Sequence, residues 1–150
     1  MSTCAFCEIV AARRDHDLVY SDETVIAFLC EPPATWGHTL IVPRAHRDDI
    51  WSVDPQELTA SVDVARHIAH VMRNDLGATG INLRQNSGSS AGQDVFHFHL
   101  HVVPRYEDDT VLPGCVWGVP PWEPPAGGDA ERQRVAQTLR SGLERDRRGA

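Results

Sequence analysis

Lysine is absent from the chain: all 14 basic residues are arginine, against 21 acidic ones, for a formal net charge of −7. A negative excess opposes binding to a nucleic-acid polymer or an anionic membrane, because both attractions are largely electrostatic. A small anionic ligand would need a local site lined by positive groups or amides. Long apolar runs are missing too, none approaching the roughly 20 residues of a membrane-spanning helix. No basic region followed by an apolar signal segment opens the chain. These absences lead to the expectation of a cytoplasmic protein. Cysteine is scarce, with four residues, and a cytoplasmic setting argues against structural disulfides. No repeat or long low-complexity tract breaks the chain, and 150 residues, 41% of them hydrophobic, suit one domain with a sizeable core.

Local patterns supply the elements. A short helical turn is expected over residues 8–13, with His16 in a solvated loop. The β-branched and aromatic residues of 18–22 and 24–29 read as two strands of a hairpin. Pro32, Pro33 and Gly37 mark a loop, followed by a strand over 38–42 that Pro43 ends. Asp54 as N-cap, Pro55 at the first helical position and Glu57 at N3 open the main helix, 54–74, with a capping box. Leu58, Val62, Ala65, Ala69 and Met72 are its expected core face, with His67 solvated and His70 at the margin. Gly77 and Gly80 precede a strand over 81–85. After the acidic run 107–109, residues 112–128 are rich in Pro, Gly and Trp. Gly127, Gly128 and Asp129 then lead into a C-terminal helix with Val135, Leu139 and Leu143 spaced by four, and the tail from Asp146 is expected to fray. The pattern favours an α+β fold with a mainly antiparallel sheet. Residues 1–128 form the body of the domain, and 129–150 add a helix and tail to it.

Chemistry concentrates in residues 97–105, HFHLHVVPR. In an extended strand alternate side chains share a face, so His97, His99 and His101 line one side while Phe98, Leu100 and Val102 line the other. A single histidine there would be a satisfied core group; three on one patch each need a partner. The row fits either a metal chelate or nucleophilic and acid/base catalysis. Cys4 and Cys7 form a C-x-x-C pair, whose spacing suits one metal ion or one disulfide. Between two strands, residues 86–93 (NSGSSAGQ) are small, polar and glycine-containing, and such a loop can turn successive backbone N–H groups towards an anion.

The run His-x-His-x-His, apolar residues, Pro104 and Arg105 resembles the signature of the histidine-triad (HIT) family of nucleotidyl hydrolases and transferases. Residues 37–46 (GHTLIVPRAH) resemble that family's second block, and 86–93 its phosphate loop; the resemblance runs from Cys4 to Arg105. It implies a five-stranded, mainly antiparallel sheet with one long helix and a C-terminal helix, paired as a homodimer. It also implies structural zinc on Cys4, Cys7, His46 and His97, with no catalytic cofactor. By the same resemblance His99 is the nucleophile, with His101 and His38 orienting phosphate and nucleophile. Phe28 lies near a purine base, and Asn86, Gly92, Gln93 and Asp94 contact the α-phosphate of the nucleotide or nucleotide conjugate, as His99 and His101 do.

Two positions depart from the family pattern. Cys30 stands where an aspartate accepts the ribose hydroxyls; either Glu31 takes over from the next position, or ribose recognition is weakened and Cys30 is a small buried side chain. Asp94 stands where a hydroxyl is usual, and a carboxylate repels phosphate unless it is paired or offers only its amide. Trp117 and Trp122 are candidates for capping a partner's pocket or for packing over the sheet edge. Hydrolysis or transfer at a nucleoside α-phosphate is the leading expectation. A nucleotide-binding regulatory protein without turnover and a metal-dependent hydrolase built on the histidine strand are the alternatives.

Overall fold

Hairpins account for most of the sheet. In the computed structural model, which describes residues 4–12, 17–107, 109 and 125–149, strands β1 (Leu18–Ser21), β2 (Val25–Leu29), β3 (Thr39–Pro43), β4 (Gly80–Arg84) and β5 (Leu100–Arg105) lie in the order β1-β2-β3-β5-β4. Every pairing is antiparallel. His16, Trp117 and Trp122 lie outside the described residues. The β1–β2 turn is built by Asp22, whose Oδ1 accepts from the Thr24 and Val25 backbone N–H groups at 2.7 and 2.8 Å.

The interior strand β2 is buried along its whole length, and its alternation divides the core in two. Val25, Ala27 and Leu29 face a helical layer, together with Ile41, Leu100 and Val102. Ile26 and Phe28 face the other way with Leu40 and Val42, against Phe6 and Ile9 of a short helix, α1 (Ala5–Val10). The helical layer consists of α2 (Pro55–Asp75) and α3 (Gly128–Gly149). Both halves of the capping box form on α2: the Asp54 side chain accepts from the Glu57 backbone N–H, and also from Gln56 N at 2.8 Å, while Glu57 Oε2 accepts from Asp54 N at 3.0 Å. Among the described residues no helix is long and apolar enough to cross a membrane.

Several expected boundaries move. Helix α1 starts directly after Cys4 rather than at Glu8, which sets Cys4 and Cys7 one turn apart. The buried stripe of α2 is Ser61, Val64, Ala65, Ile68, Val71 and Met72, while Val62 is 48% exposed. Ser61 can sit in that stripe because its hydroxyl donates to Glu57 O at 2.8 Å. Helix α3 does not fray at Asp146. It continues to Gly149, with Arg145 paired to Asp75 at 2.6 Å and the Arg147 guanidinium 4.3 Å from the centre of the Tyr20 ring. The two sheet edges differ: Arg140 of α3 donates to Leu18 O on β1 at 3.1 Å, whereas β4 carries exposed Asn82 and Leu83.

Candidate active site and metal centre

The histidine run is only half strand. Strand β5 begins at Leu100, because β3 pairs with it solely through Thr39 to Ile41. Upstream, the chain leaves the sheet and lies against residues 43–47: His97 Nε2 reaches Pro43 O at 2.9 Å, and Phe98 N donates to Arg47 O. His97, Phe98 and His99 are buried in this segment, and His101 follows on β5 beside Leu40.

Fixed backbone donors and acceptors determine which ring nitrogen carries each proton. A carbonyl can only accept, so the 2.7 Å contact from His99 Nδ1 to His97 O puts the proton on Nδ1 and leaves a lone pair on Nε2. A backbone N–H can only donate, so Ala34 N at 3.0 Å from His38 Nδ1 makes that atom an acceptor and protonates His38 Nε2. His38 Nε2 lies 2.9 Å from His101 Nδ1 and donates to it, so the His101 proton sits on Nε2. The His99 and His101 rings are 5.0 Å apart between centroids. Thus an imidazole with a bare Nε2 stands beside one with a protonated Nε2.

These rings are neutral at ordinary pH. Burial pushes His38 down to about 3 and His101 to about 2, with neighbouring histidines adding to the effect. His99 is lowered by burial as well, against a raising influence from its bond to His97 O and from the Asp94 carboxylate. The three rings of residues 97, 99 and 101 do not form a chelate, because the His101 Nδ1 lone pair goes to His38 and that of His97 points elsewhere.

His97 Nδ1 faces the thiols. It lies 3.5 Å from Cys4 Sγ and 3.6 Å from Cys7 Sγ, and His46 Nδ1 lies 3.2 Å from Cys7 Sγ. Tetrahedral zinc with bonds of about 2.0–2.3 Å needs donors roughly 3.3–3.8 Å apart. The four donor atoms all fall within 4.8 Å of one another. Both histidines spend their other nitrogen as an N–H donor, His97 to Pro43 O and His46 to Asp48 Oδ1 at 2.9 Å, which is how metal-ligating imidazoles are usually oriented. Burial and Cys4 push the Cys7 thiol up to about 11, so two adjacent thiolates require a cation. The donor set fits a closed, structural zinc site.

The loop after β4 is braced from within. Gln93 is buried; its Nε2 donates to Asp48 O and Val95 O at 2.6 and 3.1 Å, and its Oε1 accepts from Gly88 N at 2.7 Å. Gly88 and Gly92 have φ of 87° and 81°, where a side chain would be strained. Asn86 donates to Gly92 O at 3.2 Å and accepts from Arg84 Nε at 3.0 Å. Gln93 therefore shapes the loop, with its own polar atoms already engaged. Asp94 is exposed, with Oδ1 accepting from Val95 N at 2.9 Å, and its charge acts on both His99 and Cys30.

Alternation along the chain separates the two candidates for a ribose acceptor. Cys30 packs with the Phe6–Phe28 group on the histidine side, and burial raises its thiol to about 12. Glu31 turns towards α3, where Arg132 holds it at 3.1 Å; it is not brought to the histidines. Phe28 is fully buried. Above it lies Phe6, which sequence reasoning did not single out, with ring centroids 5.5 Å from Phe28, 5.2 Å from His99 and 5.9 Å from His97. The available signal was its place between the two thiols in Cys-Ala-Phe-Cys.

Residues 11–108 match the family described as the HIT domain. An uncharacterized HIT-like protein of Mycoplasma genitalium is 43% identical over 106 residues, covering 71% of this chain and 75% of its own. The crystal structure of a Zn-bound histidine triad family protein from Mycobacterium smegmatis superposes with a TM-score of 0.83 at 32% identity, over 99% of this chain and 98% of that one. An adenylylsulfatase of Arabidopsis thaliana is 31% identical over 114 residues, 76% of this chain and 55% of that protein.

Proposed function

Because the chain belongs to the HIT, or histidine-triad, family, we propose that it hydrolyses or transfers nucleotides at the α-phosphate through a covalent nucleotidyl-His99. The observation that carries this reading is the pairing of opposite tautomers: His97 O holds the His99 proton on Nδ1, and the Ala34–His38–His101 chain puts a donor on His101 Nε2.

The His99 Nε2 lone pair forms the bond to phosphorus, and the bond from phosphorus to the leaving atom breaks with its electron pair going to that atom. His101 is too reluctant a base to hold a second proton, so it donates a hydrogen bond from Nε2 without transferring one. That favours leaving groups that need no proton from the enzyme, such as the protonated amine of a phosphoramidate or the phosphate of a dinucleoside polyphosphate. Water then adds its oxygen to phosphorus and releases a proton to solvent, and the P–N electron pair returns to Nε2. The loop that carries Asn86, Gly92, Gln93 and Asp94 faces the non-bridging oxygens in this reading. The Gly92 and Gln93 N–H groups already donate to Ser89 O and Gly88 O at 3.0 and 3.2 Å, so the Asn86 side-chain amide and the Asp94 N–H are the donors that stabilise charge there. The adenylylsulfatase relative supports chemistry at an adenylyl group and hence a purine nucleotide conjugate.

Zinc on Cys4, Cys7, His46 and His97 would cross-link α1 to the histidine segment and supply no reacting group; the zinc-bound relative supports that assignment. A second copy of the chain would pair at β4, where Leu83 on the strand and Val62 on α2 are exposed. The negative charge and the free thiols of Cys4, Cys7 and Cys30 among the described residues suit the cytoplasm, with no nucleic-acid polymer or membrane as partner.

The test is intact-protein mass after rapid mixing with adenosine 5′-phosphoramidate. Wild type is expected to gain one adenylyl group and His99→Gly none, with turnover lost in that variant. An adduct that persists in His99→Gly ends the nucleophile assignment. Binding of adenosine monophosphate without any adduct, on this and on diadenosine polyphosphates, would point instead to a regulatory nucleotide-binding protein.

A further inference from the structure

We propose that Phe6 is a positioning residue for His99, held in place by the two thiols that flank it, so that the metal centre controls the geometry of the nucleophile. This rests on the reading of His99 as nucleophile given above.

The centre and the nucleophile are joined by two routes that meet at one ring. Along the chain, His97 ligates through its side chain while its carbonyl accepts from His99 Nδ1 at 2.7 Å; moving the His97 ring moves that carbonyl. Through space, Phe6 sits on α1 between Cys4 and Cys7 and presents its ring edge-on to His99, with the planes at 81° and the centroids 5.2 Å apart. Edge-to-face pairs of this kind have a preferred geometry and resist rotation. Helix α1 has only six residues and no side-chain cap at its N-terminus, too short to persist by itself. Its anchors are the apolar contacts of Phe6 and Ile9 and the two thiols at the centre. Without a cation the thiols have no common partner, α1 loses one of its two anchors, and both constraints on His99 relax together. The His99 ring can then rotate or exchange tautomers, which removes the Nε2 lone pair from the line of attack.

The coupling is tested by crossing zinc removal with Phe6→Leu, a change that keeps an apolar side chain on Ile9 and Phe28 but removes the aromatic edge. Two quantities are read: the rate of adenylyl-adduct formation, and the ring nitrogen shifts of His99 without substrate, which report its tautomer. Zinc-loaded wild type should show one tautomer with the proton on Nδ1. Phe6→Leu and zinc removal should each mix tautomers and slow adduct formation by about tenfold or more, as small misplacements of reacting atoms do. Because stripping already releases the Phe6 contact together with the His97 carbonyl, the stripped Phe6→Leu protein should be little slower than stripped wild type. A His99 spectrum that stays single in Phe6→Leu and in stripped protein retaining its sheet overturns the proposal, as does a strictly multiplicative loss of rate. If stripping unfolds the chain, zinc-loaded Phe6→Leu decides alone: an unchanged adduct rate and tautomer overturn the positioning role. Absence of any adduct in zinc-loaded wild type would sink the hydrolase reading, and the substrate-free spectrum would still decide the role of Phe6.

Discussion

Gln93 illustrates how one buried side chain can hold a loop in shape. Its amide satisfies two carbonyls and one N–H, tying Gly88 to Asp48 and Val95. Gln93→Ala leaves three groups without their partner and should cost about 2–3 kcal/mol in denaturant unfolding, since each buried orphan costs roughly 1–3 kcal/mol before water re-enters. Gln93→Glu keeps the shape yet aims a carboxylate at two carbonyl oxygens, so it should be at least as damaging. A Glu variant as stable as wild type would show that the Asp48 and Val95 carbonyls do not depend on the Gln93 amide. The candidate site was only partly legible at this scale. Residue type and spacing mark His97, His99 and His101, and Cys4 with Cys7. Nothing in the spacing reveals that Glu31 would turn to Arg132 or that Phe6 would cover Phe28, because both depend on which face a neighbouring element occupies.

Elements were legible where a local device specifies them. The start of α2 is written in Asp54, Pro55 and Glu57, and the capping box forms as expected. Asp54→Ala should therefore cost about 1 kcal/mol while Asp54→Asn costs little, read as a shift in the denaturant midpoint. The face of α2 was harder to read, because Ser61 is buried while its apolar neighbour Val62 is 48% exposed; further along the helix α3 approaches closely at Val71 and Asp75. That approach depends on Gly142. A Cβ there would meet the Val71 side chain and lie 2.6 Å from Asp75 Oδ2. Alanine gains roughly 1 kcal/mol of helix propensity over glycine, but forcing the helices apart costs about 1–3 kcal/mol. Gly142→Ala should thus destabilise, and a rise in melting temperature would contradict the close crossing. The histidine strand was read three residues too long because hydrophobic alternation continues through Phe98, whereas the pairing with β3 stops at Ile41 opposite Leu100.

For the whole molecule, the buried histidines set the response to acid. In the unfolded chain His38 titrates near 6.5, whereas burial holds it to about 3 in the folded protein. Between those values the unfolded state binds more protons, so stability rises with pH across this window. Its contribution is complete above about pH 6.5 and is lost as pH falls towards 3, at up to about 1.4 kcal/mol per pH unit. His101, lowered to about 2, acts in the same direction. The denaturant midpoint should therefore fall from pH 6.5 to 4.5, less steeply in His38→Gln than in wild type. Parallel profiles would show that His38 takes up its proton in the native state. The donors of the candidate metal site lie far apart in the chain, with Cys4 and His97 separated by 93 positions. At about 5–20 residues per second of synthesis, the cysteine pair is made roughly 5–18 seconds before its last partner exists. Throughout that interval the two thiols have no completed site to join. They depend on the reducing capacity of their surroundings, not on the fold, to stay competent for ligation.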